Sequence, residues 1–589
     1  MLPPLLANSL GVELHQVTID MLSDDILLNI FHHCLDATPQ FWPTLSSVCQ
    51  RWRQIVRTSP LGLSLRLYCT HGTPVLTMLD CWAALPIIVQ YGGFPNLVPP
   101  APEDDDNIIA ALKQSSRVSS ISLTVTSSLL EKLSAISEPF LELEELTLLS
   151  RGNMNPNLPS TFRWGPRLHT LHSTRIALPS FPQLLSPSHD LVDLQLHQIP
   201  RAGYFPPEAF TNALSVMSQL ETLSLHFLSL PPRRNYLGLP PTGGRIVLPA
   251  LACLKYRGTS MYLDSLVARI DAPRLGDIDI RFFSQPTIDA SELGRFIERI
   301  EMQTSHSQAA VETSAHAISI SFSNSNTSSP LRLQISCQQL DWQLACMIQV
   351  CDQFSPFLSR VQNLGVNTTQ SSSREDNVGG EQWLELVRSF GGTRNFWVTG
   401  ESMTDLLCAL SRTDGGNPAD TIVLPALRNL RVQKATPMDE PFWDAAQSFI
   451  TSRRLSGHSI ELQVLCHICN TSFTQQQGLN RHLVGEHKYR IVCSYCDDFE
   501  CMPGHSDLFP KHLESEHPEV ARNDLLISHP FVKSILRFQP DILVNRHGSL
   551  RPPDLVAPDE IAAWPNAFSP LLAESFAPHH SLPARTPKM

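Results

Sequence analysis

The chain lacks the features of a membrane protein and of a general nucleic-acid binder. Its 589 residues carry a net charge of −12, whereas phosphate binding draws on surplus Lys and Arg. Its longest apolar runs, such as ALPIIV, fall far short of the ~18 residues that span a bilayer. The N-terminus has neither a basic stretch nor a long apolar core, so no signal peptide is expected. We therefore expect a cytoplasmic or nuclear protein with reduced thiols and no membrane partner.

Signatures of catalysis are also missing. The sequence has no G-x-S-x-G nucleophile elbow, no G-x-x-x-x-G-K-[ST] phosphate loop, no H-E-x-x-H and no G-x-G-x-x-G. Its C-terminal cysteine cluster lacks the Cys-x-His core of a RING cross-brace, so it is not expected to recruit a ubiquitin-conjugating enzyme. We expect a protein that is not an enzyme.

Residues 466–487 hold a strong metal-ligand pattern. Four residues share the spacing Cys466-x2-Cys469-x12-His482-x4-His487. The first pair suits a β-hairpin turn, and the second pair lies about one turn apart on a helix, so both imidazoles face one metal ion. Phe473 and Leu479 fall between the pairs, where so small a module needs its apolar residues. Zinc would supply the folding free energy that this apolar content cannot.

A second unit follows with the spacing Cys493-x2-Cys496-x15-His512-x4-His517. Its central gap is three residues longer than that of the first unit, and Cys501 and His505 inside the gap compete as ligands. Zn²⁺ is expected at both sites, because sets of Cys and His are typical of structural zinc. The spacing resembles the C₂H₂ zinc-finger family, which implies ββα fingers.

The first unit is poorly suited to reading DNA. By resemblance to DNA-binding fingers, base contacts would come from Gln475, Gly478 and Arg481, and the glycine can read nothing. The joint KYRIV differs from the TGEKP-like linker of tandem arrays, and residues 451–520 hold six Lys and Arg against nine Asp and Glu. The electrostatic footprint of a duplex binder is missing. We expect these fingers to hold a protein or to stabilise the C-terminal end of the fold.

Apolar residues recur at helical spacing near the N-terminus. One stripe comprises Leu22, Ile26, Leu27, Ile30 and Phe31, and a second comprises Leu45, Val48, Cys49, Trp52, Ile55 and Val56. Ser23 can cap the first helix, and Pro43 suits the start of the second. Two such helices need a third element or a partner to bury both faces. A plain helical hairpin packed on the next domain fits the same pattern.

The order of these residues resembles the F-box, whose motif begins Leu-Pro-x-Glu-Ile-Leu and later carries Val-Cys-x-x-Trp. Here Ser23 stands where proline is usual and Asp25 where glutamate is usual, while the apolar positions remain. The run QRWRQIVRTSPLGLSLRLYCTHGTPVL and the overall layout are similar to the expanded F-box family of mushroom-forming fungi. Members of that family pair an N-terminal box with a long repeat-like region, and some carry terminal zinc fingers. The resemblance covers residues 16–520.

This resemblance implies a three-helix module that docks onto the Skp-type adaptor of cullin–RING ubiquitin ligases. The adaptor contact or its support would come from Leu22, Ile26, Leu27, Ile30 and Phe31. The core of the box would be formed by Leu45, Val48, Cys49 and Trp52. The chain would then be a substrate-recognition subunit that brings an unknown protein substrate to the ligase.

Between the two ends the pattern apolar-x2-apolar-x-apolar recurs. Its copies start at Val118, Leu143, Leu168, Leu191, Leu220, Leu251, Leu275 and Leu427. The first seven starts lie 23 to 31 residues apart, close to the period of leucine-rich repeats. Each unit is predicted to be one strand plus one helix, stacked on its neighbours. An ordinary α/β domain with leucine-rich strands is the alternative, and the period is hard to follow from about 285 to 420.

These patterns together predict an α+β multidomain protein. The predicted order is an N-terminal three-helix F-box at 16–68, a linking segment at 69–116, an irregular leucine-rich-repeat-like α/β solenoid at 117–455, C-terminal ββα zinc fingers at 460–520 (466–487 and 493–517), and a Pro-rich, mostly disordered tail at 521–589. Two other functions suit the same sequence. One is a zinc-finger nucleic-acid-binding regulator, and the other is a protein-interaction scaffold whose box binds no adaptor.

Overall fold

A computed structural model describes most of the chain up to residue 466 and scattered positions after it. The described ranges are 19–37, 42–58, 64–83, 85–92, 102–151, 155–178, 181–230, 244–301, 307–314, 316–324, 327–337, 340–368, 380–400, 403–411, 423–433, 440–466, 469, 471–475, 478–479, 481–482, 486, 490–493, 500–501, 515 and 536–539. The chain divides into two compact units, Met1–Leu251 with Arg269–Pro273, and Ala252–Ala268 with Arg274–Met589. Within the described ranges, no helix combines the length and the apolarity that a membrane span requires.

The first unit begins with a short 3-10 helix, Ile19–Met21, and three helices. These are α1 (Asp24–Ala37), α2 (Trp42–Val48) and α3 (Gln50–Thr58). The second apolar stripe of the sequence therefore spans two helices, because the chain breaks at Cys49. The thiol of Cys49 accepts a hydrogen bond from the backbone N–H of Trp52 at 3.4 Å, which caps the start of α3 as a side-chain acceptor does at other helix starts.

A parallel sheet follows in the same unit. Its strands are β1 (Leu65–Tyr68), β2 (Ile87–Tyr91), β3 (Val118–Val125), β4 (Glu145–Ser150), β5 (Thr170–Thr174), β6 (Asp193–Ile199) and β7 (Thr222–Phe227). Each strand pairs in parallel with the next one along the chain. The connections contain α4 (Val75–Cys81), α5 (Asp105–Leu112), α6 (Ser127–Leu133), α7 (Phe181–Leu184) and α8 (Pro207–Leu214), with 3-10 helices Pro102–Asp104 and Arg201–Gly203. A separate parallel pair joins β8 (Ile246–Val247) to β10 (Ile270–Asp271).

The second unit has a mixed sheet. Its strands are β9 (Cys253–Gly258), β11 (Asp277–Phe282), β12 (Gln308–Ser314), β13 (Ala317–Asn324), β14 (Thr327–Ser336), β15 (Asn363–Thr368), β16 (Asn395–Gly400), β17 (Asn429–Gln433), β18 (Glu461–Leu465) and β19 (Ser472–Phe473). They lie in the order β9-β11-β14-β13-β12-β15-β16-β17-β18-β19, in which β13 and β19 are antiparallel to their neighbours. The helices are α9 (Ser260–Val267), α10 (Ser291–Glu301), α11 (Leu340–Gln353), α12 (Ser355–Leu358), α13 (Gly380–Arg388), α14 (Met403–Ser411) and α15 (Glu440–Leu455). A small antiparallel sheet comprises β20 (Arg490–Cys493), β21 (Glu500–Cys501) and β22 (Leu536–Gln539).

The apolar repeats of the sequence coincide with strands. All eight copies overlap one strand each, from β3 at Val118 to β17 at Leu427. Not every repeat contains the expected helix, since the described residues between β4 and β5 include none. The predicted linking segment 69–116 instead contributes β2 to the sheet. Within it Ile87, Val89 and Tyr91 alternate with less buried residues, a strand pattern too short to stand out in the sequence.

Leucines in register build the core of the first sheet. Leu146, Leu171, Leu194 and Leu223 pair across β4 to β7 and are almost completely buried. Burying one such side chain contributes about 1.5–3 kcal/mol. Because the side-chain period of a strand is two, this row also fixes which residues face the opposite side of the sheet.

Amide side chains set the register in the second sheet. Asn363, Asn395 and Asn429 face one another across β15, β16 and β17. The Asn395 amide donates to Asn363 Oδ1 and the Asn429 amide donates to Asn395 Oδ1, both at 2.7 Å. A slip of one residue would break both bonds and would turn the buried side chains toward solvent.

A carboxylate of α9 that accepts a hydrogen bond from the start of α10 makes the second unit sensitive to pH. Burial, and less strongly the charges of Asp289 and Glu292, raise the pKa of Asp264 to about 6, although its Oδ1 accepts the Leu293 N–H at 2.9 Å. A raised native pKa means that the native state binds more protons than the unfolded chain. This contribution to stability is therefore full below pH ~4 and is lost as pH rises through about 6.

Asp264→Asn is expected to remove this dependence while it keeps an acceptor for Leu293 N–H. As pH rises from 4.5 to 7, the unfolding free energy of the variant should rise relative to that of the wild type, by on the order of 1 kcal/mol once solvent screening of this partly exposed carboxylate is included. Urea denaturation of both proteins at several pH values in that window measures the difference. A constant difference across the window would contradict the expectation.

Candidate functional site

The first candidate site is the outer face of the three N-terminal helices, and the start of α1 orients it. Ser23 Oγ accepts the backbone N–H of Ile26 at 3.4 Å, a weak N-cap, and Asp24 and Asp25 occupy the favourable first turn. From α3, Arg51 donates to Asp24 Oδ1 through Nε at 3.1 Å and Nη2 at 2.7 Å, and to the Leu22 carbonyl at 2.6 Å. The side chain of Arg51 therefore ties the start of α1 to α3.

Buried side chains hold the three helices together. Leu27 and Phe31 of α1 are 0% exposed, and the ring of Phe31 lies 4.7 Å from that of Trp52, centroid to centroid. Leu45 of α2 and Ile55 and Val56 of α3 are also buried. Truncating a buried Leu or Phe in such a core typically costs 2–5 kcal/mol, which makes these residues supports of the helical face.

The apolar residues that α1 leaves exposed form a stripe. Ile26 is 48% exposed and Ile30 is 36% exposed, and residues four apart lie on one helix face. Ile19 and Met21, just before α1, are exposed as well. The five residues predicted to supply the contact or its support thus divide into an exposed pair, a half-buried Leu22 and the buried pair Leu27 and Phe31.

The residues predicted to form the core of the box differ in how deeply they are buried. Leu45 is buried, and Cys49 and Trp52 are half-buried, whereas Val48 is 54% exposed. The break at Cys49 explains the position of Val48, because a residue at the end of α2 does not continue the stripe of α3. The structure therefore places Val48 on the surface, in contrast to the prediction.

The second candidate site lies at the end of β18. The ligand atoms of Cys466, Cys469 and His482 all lie within 4.8 Å of one another, and Cys469 Sγ lies 3.1 Å from His482 Nε2. Cys466 directly follows β18 and is completely buried. Its N–H donates to the Thr471 carbonyl at 2.9 Å, which closes the turn between β18 and β19.

Apolar packing positions the histidine of this cluster. The ring of Phe473 on β19 lies 4.8 Å from the ring of His482, and Leu479 is 4% exposed. A Cβ on Gly478 would lie 3.4 Å from the Phe473 ring, an ordinary contact distance, so residue 478 lies directly beside the ring that packs on His482.

Hydrogen bonds favour a thiolate in this cluster. Partial burial raises the pKa of the Cys469 thiol, but bonds from the Thr471 side chain and backbone and from Cys466 offset burial, so the pKa is lowered. The Thr471 hydroxyl lies 3.0 Å from Cys469 Sγ. A thiolate is the form of cysteine that binds metal ions.

Several predicted ligands lie outside the described residues. These are His487, Cys496, His512 and His517, together with the competing His505. The backbones of Cys493 and Cys501 lie on β20 and β21. The expectations for the second zinc site, and for the fourth ligand of the first, therefore stay predictions.

Two structural features of the first unit could not be predicted from any sequence pattern. Arg51 is separated from Asp24 by 27 residues, and no pattern links them. Asp104 and Asp105 belong to the acidic run PEDDDN, yet each is only 2% exposed. Asp104 accepts the Tyr91 hydroxyl at 2.7 Å and Asp105 accepts the Ser128 hydroxyl at 2.9 Å, so these carboxylates anchor α5 to its neighbours.

Comparison with known proteins assigns the N-terminal helices. Residues 19–64 match the F-box domain family, and no curated protein matches the chain. F-box domains bind Skp-type adaptors in Skp–cullin–F-box ubiquitin ligases, and proteins that carry them are typically non-catalytic. The domain supports a general role for the chain as an adaptor-binding subunit of such a ligase.

Proposed function

We propose that the chain is a substrate-recognition subunit of a Skp–cullin–F-box ubiquitin ligase. The observation that carries this proposal is the exposed stripe of Ile26 and Ile30 on an F-box whose Leu27 and Phe31 are buried. An apolar pair exposed on a rigid helix face suits a partner with a complementary groove. The adaptor would bury this stripe and link the chain to the cullin.

The parallel sheet of the first unit would provide a surface for a protein substrate. A leucine-rich-repeat-like interpretation of this region is supported by strands that pair in chain order and by the recurring apolar pattern. Half-buried polar residues face away from the leucine core, among them Thr147, His172 and Gln195. The chain would act by holding the substrate near the ligase, an effect of local concentration and orientation.

The cluster of Cys466, Cys469 and His482 would hold Zn²⁺. Two sulfur donors and one imidazole suit this ion, and their donor atoms are already close enough to share it. His487 is the proposed fourth ligand. Zinc would stabilise the end of the second unit, and the surface around it is a further candidate contact for a protein.

The test of the ligase role is binding of the purified full-length chain to a purified Skp-type adaptor. Size-exclusion chromatography should show a complex, and addition of the cullin with its RING subunit should give a larger one. A folded chain that stays separate from the adaptor at micromolar concentration would contradict the proposal and favour the scaffold alternative.

A further inference from the structure

Three arginines follow successive strands of the first sheet. Arg151 comes directly after β4, Arg175 directly after β5, and Arg201 two residues after β6. The carboxyl ends of parallel strands meet at one edge of a sheet, with neighbouring strands about 4.8 Å apart. We call these three residues the arginine edge.

Close packing brings Arg201 to this edge. It begins the 3-10 helix Arg201–Gly203. A Cβ on Gly203 would lie 3.0 Å from Ala177 Cα, so this short helix packs directly against the chain that leaves β5. Arg175 lies two residues before Ala177 and therefore on the same connection.

The backbone at this edge adopts a conformation that side chains usually avoid. Arg175 has φ 61° and Gln198 has φ 53°, which costs roughly 1–2 kcal/mol for a residue other than glycine. The Arg175 N–H donates to the His197 carbonyl at 3.0 Å, and its Nε donates to Gln198 Oε1. Strain of this kind is concentrated at functional sites.

Neutral oxygens orient two arginines of the edge. The Nη2 of Arg151 donates to the Gly92 carbonyl at 2.9 Å, and Arg175 donates to an amide, so each guanidinium is oriented by a neutral oxygen. In the described part of the chain, neither Arg151 nor Arg201 takes part in an ion pair, whereas Lys132, Arg167 and Arg269 of the same unit do. The connections contain no Asp or Glu over residues 150–160, 174–189 and 199–207.

Polar side chains continue this surface onto the face of the sheet. The rings of His197 and His226 stack with centroids 4.5 Å apart, and both Nε2 atoms face the Ser224 hydroxyl, at 3.0 and 3.5 Å. Thr174 is the strand neighbour of His197. The face of the sheet beside the arginines is therefore polar.

We propose that the arginine edge docks an extended acidic segment, rich in Asp and Glu, of a protein partner. Local charge complementarity supports this partner, because three arginines follow successive strands and the stretches of chain around them contain no Asp or Glu. The guanidiniums are anchored at separate places, which suits several carboxylates spread along a peptide. A single phosphate would need the cations to converge on one point. Nucleic acid fits less well, since three arginines would neutralise few phosphates and would release few counterions.

This inference deepens the proposed receptor function, because it names the class of substrate. The test of the arginine edge needs no adaptor. Its failure can therefore be distinguished from a failure of the chain to bind the adaptor. The full-length chain is titrated into a fluorescein-labelled peptide rich in Glu and Asp, and binding is followed by fluorescence anisotropy at low and high salt. We expect binding that weakens with salt, and none to the same peptide with Gln and Asn.

The variant Arg151→Gln/Arg175→Gln/Arg201→Gln should lose at least about tenfold in affinity, since each exposed charge pair contributes modestly and three are removed. The matched control is Lys113→Gln/Arg163→Gln/Arg167→Gln, which removes the same charge from exposed residues before β3 and β5 and should bind as the wild type does. Circular dichroism checks the fold. If the triple variant is unfolded, Arg151→Gln/Arg201→Gln replaces it, with a loss of at least about threefold.

Three outcomes would overturn the proposal. One is the absence of binding to the acidic peptide, and another is an equal loss in the control variant. The third is tighter binding of a peptide with a single phosphoserine, or of a single-stranded oligonucleotide, than of the Asp/Glu peptide.

Discussion

The variant Ile26→Glu/Ile30→Glu is expected to lose adaptor binding at least tenfold, roughly the effect of removing two central apolar anchors from an interface. Both side chains are exposed on one face of α1, so glutamate, a good helix former, can replace them without entering the core. The charges would lie where the adaptor must exclude water, and an unpaired buried charge is costly. Surface plasmon resonance with immobilised adaptor measures the loss.

A control separates this effect from added charge and from unfolding. Gln114→Glu/Gln219→Glu adds the same two negative charges at exposed positions outside the box and should bind normally. Phe31→Glu is unsuitable, because Phe31 is completely buried and the variant would disrupt the three helices. Normal binding by a folded Ile26→Glu/Ile30→Glu protein would assign the contact to another surface.

Loss of the proposed zinc ion is expected to destabilise the end of the second unit. Cys466→Ser should lower the zinc content by one ion per chain, because Cys466 is the completely buried member of the proposed ligand set. Zinc binding in comparable small modules amounts to about 10–16 kcal/mol. Hydrogen exchange should then accelerate by orders of magnitude in residues 461–482, while β15 and β16 keep their protection.

The measurements are metal analysis of the purified chain and hydrogen–deuterium exchange with mass spectrometry. Cys408→Ser is the matched control, since Cys408 is a half-buried cysteine on α14 in the same unit and should leave both readouts unchanged. A chain that purifies without zinc and still protects residues 461–482 would rule out the proposed metal centre.

Local patterns in the sequence predict helices and strands better than they predict contacts between distant residues. Apolar spacing placed α1, and the repeated leucine pattern placed strands such as β4 and β6, because burial on one face imposes a period on the residues. The break at Cys49 depends on a thiol that caps α3, a role that spacing does not encode. The exposure of Val48 follows from this break.

Contacts between residues far apart in the sequence could not be predicted from it. No pattern in the sequence indicates that β13 runs antiparallel to both of its neighbours. The burial of Asp104 depends on the Tyr91 hydroxyl, and the arginine edge depends on strand order. The proximity of Cys466, Cys469 and His482 is the opposite case, since these residues lie close together in the sequence and their spacing predicts that they meet.

β18 belongs both to the parallel strands before it and to the hairpin after it, which limits where the chain can be divided. β18 pairs with β17 along one edge and with β19 along the other, and the next residue is Cys466. A fragment that starts at Cys466 would lack one strand of its own hairpin, and a fragment that stops there would leave β18 with an open edge that invites aggregation. The predicted boundary between the repeat-like region and the first finger therefore falls within one paired sheet, and proteolysis or truncation at that point would damage both sides.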